Sequence, residues 1–444
     1  MSETTEARKR HTQAVVIIHG IGEQRPMATL RSFADAVLPE PEQGGEKYFS
    51  KPDTLSKSYE LRKLQDRSQP RTHFFEYYWA YQVEGTNFGH IRAWLTTLLL
   101  RKPQSVPKQL LFLWSLSWLL IVVTVAAAVL GVAGGISQFT SQFPPILVSG
   151  VSAILFGLLH GFVFLFVGDV ARYLTPLPSN VKLRQAIRAD GIDLLKKIHE
   201  EGIYERVILV GHSLGSFIAY DILKHLWQEY HEEYKLPKAS KQEALAKVEQ
   251  IGEGLRKGVV GVTLQDYMDA QIGLWKELRD LGNPWLVTDL ITLGSPLAHA
   301  ALVLASDETD LRARQHQREL PTDPPEPEVE TTKLEERRFY SYRVWDGYGE
   351  MKNIKLRAVH YGGLFAFTRW TNLYFPSDLA GGPITVFGPG VRNILVDSGN
   401  VFIDRTIRAH TSYWNQKDMK AQAKSNSVSE LIKALDLKNP KYFE

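Results

Sequence analysis

The 444-residue chain contains no cysteine. This absence excludes disulfide bonds, thiolate metal sites and a cysteine nucleophile, and it agrees with a reducing compartment without requiring one. The net charge is also small, +3 from 52 Lys and Arg against 49 Asp and Glu. Such a small excess, without a basic stripe interleaved with aromatic residues, argues against a nucleic-acid partner. Residues 1–13 are polar and charged, so no cleaved signal peptide is expected.

Charged residues are missing altogether from two long stretches, residues 110–134 and 146–168. Each stretch is dominated by apolar residues and exceeds the roughly 20 that cross a bilayer as a helix. The connection between them, residues 135–145, is uncharged as well. The sequence therefore predicts a transmembrane helical hairpin within residues 101–168, inserted between two parts of a globular body, residues 1–100 and 169–444.

Lysine and arginine flank the predicted hairpin on both sides but are absent from its tip. The flanking residues are Arg92, Arg101, Lys102 and Lys108 before it, and Arg172, Lys182, Arg184 and Arg188 after it. The positive-inside rule places such flanks in the cytoplasm. We therefore expect two spans in the cytoplasmic (inner) membrane, with the lipid bilayer as a partner and the globular body facing the cytoplasm.

The stretch ERVILVGHSLGSFIAYD, residues 205–221, carries the strongest functional signal. An apolar β-branched run leads into Gly211-His212-Ser213-Leu214-Gly215, and apolar residues at helical spacing follow. A strand, G-x-S-x-G and a helix form a nucleophile elbow, which projects a serine hydroxyl from a sharp turn. The glycines keep side chains away where strand and helix nearly collide, and the N–H of Leu214 is a predicted donor to an oxyanion.

A second glycine-containing turn follows the predicted strand Gln13–His19. The residues His19-Gly20-Ile21-Gly22 allow the chain to turn tightly beneath a substrate carbonyl, since neither glycine carries a side chain. We expect His19 to be a buried residue that holds this loop rather than a base.

These motifs resemble the lipase and esterase branch of the α/β-hydrolase superfamily. The resemblance rests on Val15–Gly22, Glu205–Asp221, Leu290–Pro296, Trp370–Asp378 and His410. It implies a catalytic triad of Ser213, Asp378 and His410, in the chain order that this superfamily uses. It also implies a second oxyanion-hole donor, the backbone N–H of Ile21. Gly20, Gly22, Gly211, His212 and Gly215 would support the site, and neither a metal nor a cofactor would be needed.

The sequence leaves rivals for two members of this triad. Asp397 and Asp404 also precede His410 and follow strand-like residues, so either is an alternative acid. His360 is an alternative base, with Asp346 as its possible acid.

The predicted fold is α/β, an α/β-hydrolase fold with a mostly parallel central sheet flanked by helices. The usual leading antiparallel strands of that fold are expected to be missing, because the sequence begins close to the oxyanion-loop strand. Apolar residues recur at helical spacing through residues 231–284, which predicts a helical cap over the site or, equally, a solvated packing element. Residues 306–338 are charged and proline-rich, which predicts a mobile loop.

The expected function is that of a membrane-anchored serine hydrolase that cleaves carboxylic esters of lipids or acyl-lipids. An acyltransferase or acyl-protein thioesterase would use the same triad. A catalytically inactive membrane scaffold is the alternative from another class.

Overall fold

The computed structural model of the chain describes residues 11–20, 25–41, 44–82, 178–233, 242–331, 336–344 and 356–443, together with residues 103, 111, 114, 115, 118, 119 and 122. Two compact units are present. The first comprises Met1–Trp79 and Ala186–Glu444, and the second comprises Ala80–Gln185. In the second unit, the rings of Trp114 and Trp118 meet edge to face with their centroids 6.3 Å apart. The central sheet and the candidate site belong to the first unit.

Eight strands form the central sheet. In chain order they are β1 (Thr12–Ile18), β2 (Tyr48–Pro52), β3 (Arg62–Asp66), β4 (Arg71–Tyr77), β5 (Arg206–His212), β6 (Val287–Leu293), β11 (Arg369–Tyr374) and β12 (Arg392–Leu395). Their order across the sheet is β12-β11-β6-β5-β1-β4-β3-β2. Every neighbouring pair is parallel except β2–β3 and β3–β4. The prediction of an α/β protein with a mostly parallel sheet is confirmed.

The remaining strands form two small antiparallel sheets. One pairs β7 (Glu328–Thr331) with β8 (Glu336–Phe339), and the other pairs β9 (Ser341–Arg343) with β10 (Arg357–Val359). The described helices are α1 (Ala28–Val37), α2 (Pro178–Glu200), α3 (Leu214–Glu233), α4 (Glu243–Lys257), α5 (Leu264–Asp280), α6 (Ala300–Val303), α7 (Glu308–His316), α8 (Val401–Asp404) and α9 (Ser427–Leu435).

Helices cover both faces of the sheet, so its central strands are apolar on both sides. On one face, Phe33 of α1 and Leu431 of α9 share a buried cluster with Ile208 and Ile291 of the sheet. On the other face, α3 packs on β5, and Tyr77 of β4 donates a hydrogen bond to a carbonyl of α2. Because β1, β4, β5, β6, β11 and β12 run parallel, their carboxyl ends lie at one end of the sheet. The candidate site lies at this end.

The antiparallel pair at the lateral edge of the sheet is formed by β2 and β3, which follow β1 in the chain, and no strand precedes β1 in the described part of the chain. One expectation about a loop is wrong. Residues 306–331 are largely ordered, since they contain α7 and the buried side chains of Leu311, Leu320 and Asp323. Proline and charge suggested a loop, but a few buried apolar residues anchor the segment to the body.

The predicted cap at residues 231–284 contains α4 and α5, and two hydrogen bonds of α5 show which end of the sheet that helix contacts. Tyr267 of α5 donates to the Phe365 carbonyl, which precedes β11, and Trp275 donates to the Trp285 carbonyl, which precedes β6. These contacts lie at the amino ends of the strands, whereas Ser213 follows the carboxyl end of β5. Helical periodicity revealed an apolar face but not the surface that it covers.

The predicted spans, residues 110–134 and 146–168, lie outside the described residues apart from a few single positions. No helix in the described part of the chain is both long enough and apolar enough to cross a bilayer.

Candidate active site

Three side chains that are far apart in the sequence form one hydrogen-bonded chain. Nε2 of His410 lies 2.9 Å from Oγ of Ser213. Nδ1 of the same ring lies 2.9 Å from Oδ1 and 3.0 Å from Oδ2 of Asp378. A carboxylate only accepts, so Nδ1 carries the proton and Nε2 is left to accept the serine hydroxyl proton.

Ser213 sits on a sharp turn between β5 and α3. Its φ is +53°, the left-handed region that a non-glycine residue seldom occupies. A Cβ at Gly211 would lie 2.4 Å from the Ser216 Cα, and one at Gly215 would lie 2.3 Å from the Ile18 carbonyl oxygen. Both flanking positions therefore require glycine, because the elbow presses against α3 on one side and β1 on the other.

The turn that carries His410 is a short 3₁₀ helix, Ile407–Thr411, after the last strand of the sheet. Nε2 of His212 donates to the His410 carbonyl oxygen over 2.7 Å, and the two rings lie 5.0 Å apart. Burial lowers the pKa of His212 to about 3, with the charge of His410 adding to the effect. A neutral His212 therefore ties the turn at Ser213 to the turn that carries His410.

Asp378 is almost fully buried and saturated with donors. Its Oδ1 accepts from the N–H groups of Ala380 and Gly381 at 2.9 and 3.1 Å, and its Oδ2 accepts from the Tyr413 hydroxyl at 2.7 Å. Burial on its own would raise the pKa of Asp378. The charge of His410 and these hydrogen bonds outweigh burial, so the pKa lies below its ordinary value and the carboxylate stays ionised.

Tyr413 is a site residue to which the sequence alone assigned no role. It donates to Asp378 and accepts from the Phe375 N–H at 3.2 Å, so it connects the acid to the end of β11. Its place three residues after His410 is the one signal that could have pointed to it.

The loop after β1 approaches the serine closely. A Cβ at Gly20 would lie 2.8 Å from the Cβ of Ser213, so only glycine fits there. His19 donates from Nδ1 to the Gly20 carbonyl at 2.8 Å and accepts at Nε2 from the Trp79 N–H at 3.3 Å. Burial lowers the pKa of His19 to about 4, so it is neutral and holds this loop. The buried surroundings of His19 disfavour its protonated form, so we do not assign His19 as the base.

Of the two predicted oxyanion-hole donors, only Leu214 is among the described residues. Leu214 is the first residue of α3, so its N–H has no carbonyl partner within that helix. Ile21 and Gly22 lie outside the described residues, and their predicted roles stay predictions.

The rival acids and base make other contacts. The Asp397 carboxylate accepts from the backbone N–H groups of Gly399, Lys424 and Ser425. Asp404 accepts from the Ser398 N–H.

His360 is buried, with its Nε2 2.9 Å from the Glu326 carbonyl, and burial lowers its pKa to about 3. Its proposed acid, Asp346, lies outside the described residues. The structure thus brings Asp378 and His410 to Ser213 and places these rivals in other hydrogen bonds.

No group of three or more histidine, aspartate or glutamate side chains in the described ranges is arranged to hold a metal ion. No protein-family model, curated protein or solved structure matches this chain. The function of this chain is therefore inferred from the geometry of the site.

Proposed function

We propose that the chain is a serine hydrolase that cleaves carboxylic esters through an acyl-Ser213 intermediate. The observation that carries this proposal is the chain of hydrogen bonds from Asp378 through His410 to Ser213, with the serine held at positive φ on an elbow. A packed serine needs neither a strained backbone nor an ordered imidazole and carboxylate behind it.

The sheet supports assigning the body to the α/β-hydrolase fold. Ser213 follows a central parallel strand, Asp378 follows the next strand but one, and His410 follows the edge strand. This is the chain order nucleophile, acid, base that the fold uses. The antiparallel pair at the far edge completes an eight-stranded mixed sheet, although its strands follow β1 in the chain rather than precede it.

The reaction would proceed in two acyl transfers. Ser213 Oγ attacks the ester carbonyl while His410 Nε2 accepts its proton, and Asp378 stabilises the resulting imidazolium. The N–H of Leu214, together with that of Ile21 that the family resemblance implies, would stabilise the oxyanion. His410 then protonates the leaving alcohol, and a water activated by the same ring releases the acid and restores Ser213.

The preferred substrates are esters of lipids or acyl-lipids. This preference rests on the predicted hairpin at residues 101–168, because an enzyme held at a bilayer meets amphiphilic esters by diffusion in two dimensions. The pattern of lysine and arginine around the hairpin would place the active body on the cytoplasmic side of the inner membrane.

The test is labelling of the purified full chain by a fluorophosphonate, together with turnover of a p-nitrophenyl ester. The Ser213→Ala variant should lose the label and lower turnover by orders of magnitude, because it removes the nucleophile and little packing. Ser429→Ala, at an exposed serine of α9, is the matched control and should keep both. Unchanged labelling and turnover in Ser213→Ala would refute the proposal.

A further inference from the structure

The segment between the last strand and α9 exposes apolar side chains next to the candidate base. Within this segment, residues 397–424, Val401 and Phe402 of α8 are 64% and 67% exposed. The segment is one packed piece, since the backbone N–H of Lys420 donates to the Ser398 carbonyl at 2.7 Å and the backbone N–H of Lys424 donates to the Asp397 carboxylate at 3.2 Å. We call it the 397–424 surface.

This surface lies at the same end of the sheet as the site, the end formed by the carboxyl ends of the parallel strands. α8 follows β12, which is parallel to β5 through β11 and β6, so the carboxyl ends of these strands face the same way. The turn with His410 begins three residues after α8 ends. Whatever binds Val401 and Phe402 therefore binds close to the base.

The basic side chains of this surface are more exposed to solvent than its acidic side chains. Its five basic side chains are exposed, whereas its three acidic side chains are only partly exposed; the basic residues are Arg405, Arg408, Lys417, Lys420 and Lys424, and the acidic residues are Asp397, Asp404 and Asp418.

Each acid already accepts hydrogen bonds from neighbouring backbone or side-chain donors. Among the described residues, only Arg408 of the five cations has an acidic partner, Asp418 at 3.8 Å. Four exposed cations without an acidic partner among the described residues thus share this segment with two exposed apolar side chains.

We propose that the 397–424 surface docks on an anionic lipid bilayer. Exposed apolar side chains ringed by lysine and arginine suit a membrane interface, where the apolar groups enter the acyl boundary and the cations meet acidic headgroups. The cytoplasmic leaflet, which the predicted hairpin orientation makes available, carries that negative charge. Docking would bring the His410 side of the site to the lipid. Docking itself does not depend on the proposed hydrolase activity, but its role in presenting lipid esters to Ser213 does.

The absence of cysteine allows a direct test on the full chain. Val401→Cys introduces a single thiol for an environment-sensitive fluorophore and leaves Phe402 in place. Val260→Cys is the matched control, because Val260 is 99% exposed on the connection between α4 and α5. Each labelled chain is reconstituted in phosphatidylcholine vesicles with and without phosphatidylserine, some of which carry a lipid-bound quencher.

The label at position 401 should shift to the blue and be quenched by the lipid-bound quencher on the anionic vesicles, whereas the label at 260 should not. Removing charge with Arg405→Gln and Lys420→Gln together should lower the docked-to-undocked ratio about 25-fold, since each cation near such a surface contributes about fivefold. Lys51→Gln with Lys247→Gln removes the same charge at exposed positions on β2 and α4 and should change the ratio little.

Three results would overturn the proposal. These are identical emission from positions 401 and 260, equal docking on neutral and anionic vesicles, and a concentration-dependent shift without lipid, which would identify a second copy of the chain as the occupant. The fluorescence readout needs no turnover and is repeated with Ser213→Ala. Docking without ester hydrolysis would refute only the proposed hydrolase activity. Ester hydrolysis without docking would refute only the proposed docking of the 397–424 surface.

Discussion

Replacing Asp378 with asparagine should remove nearly all turnover while leaving the fold intact. The N–H groups of Ala380 and Gly381 both point at Oδ1, so the asparagine oxygen must take that place and its amide nitrogen must take the place of Oδ2. There the amide N–H would face His410 Nδ1 across the 3.0 Å that now separates this nitrogen from Oδ2, which favours the tautomer in which Nδ1 accepts. The ring would carry its proton on Nε2, facing the Ser213 hydroxyl that it is meant to deprotonate.

The size of the effect follows from the tautomer. The same substitution in a serine-protease triad, with the geometry kept, lowers kcat about 10⁴-fold. That factor corresponds to about 5.5 kcal/mol of activation free energy. We expect a similar loss here, because Asp378 is buried and no water can replace its carboxylate.

The assay is kcat for a p-nitrophenyl ester, measured on the full chain in detergent, with thermal unfolding to verify the fold. Asp397→Asn and Asp404→Asn are the matched controls, since each is an aspartate in the same part of the chain that contacts backbone N–H groups rather than His410. Near-wild-type kcat for Asp378→Asn, or an equal loss in either control, would refute the assignment of the acid.

Three further predictions concern other parts of the chain. Tyr413→Phe removes a hydrogen bond to Asp378, so the free energy of unfolding should fall by about 1–3 kcal/mol and kcat should fall as well. Denaturant unfolding and ester turnover measure these two effects, and no change in either would contradict the support that Tyr413 gives to Asp378. Burial raises the pKa of Glu76 to about 7. At this carboxyl group the folded state then binds more protons than the unfolded chain between about pH 4.5 and 7, so the contribution of Glu76 to stability falls by on the order of 3 kcal/mol as pH rises through that window. The unfolding free energy of the wild type minus that of Glu76→Gln should therefore fall by this amount, and denaturant unfolding of both proteins at several pH values measures it. For the predicted hairpin, a reporter inserted near Ser137 should be accessible from the opposite side of the membrane to one fused at Glu444, and accessibility from the same side would exclude the hairpin.

The sequence by itself determined the local parts of the site. Strand, G-x-S-x-G and helix are contiguous, so residues 205–221 show the elbow at Ser213 directly, although the limit on Gly215 comes from Ile18 of β1. The apolar runs of β1, β5 and β6 likewise required burial on both faces and so predicted a central parallel sheet. The two uncharged stretches within residues 101–168 predict membrane spans for the same reason, since only an apolar environment solvates such a surface.

The tertiary structure decided every feature that depends on which distant residues meet. It brought Asp378 to His410 and placed Asp397 and Asp404 in hydrogen bonds with backbone N–H groups instead. It gave Tyr413 its contact with Asp378, and it placed α5 at the amino ends of β6 and β11. It also added β2 and β3 to the sheet edge. The physical reason is that side-chain periodicity fixes which residues must be buried, whereas the partner that buries them depends on how the whole chain packs.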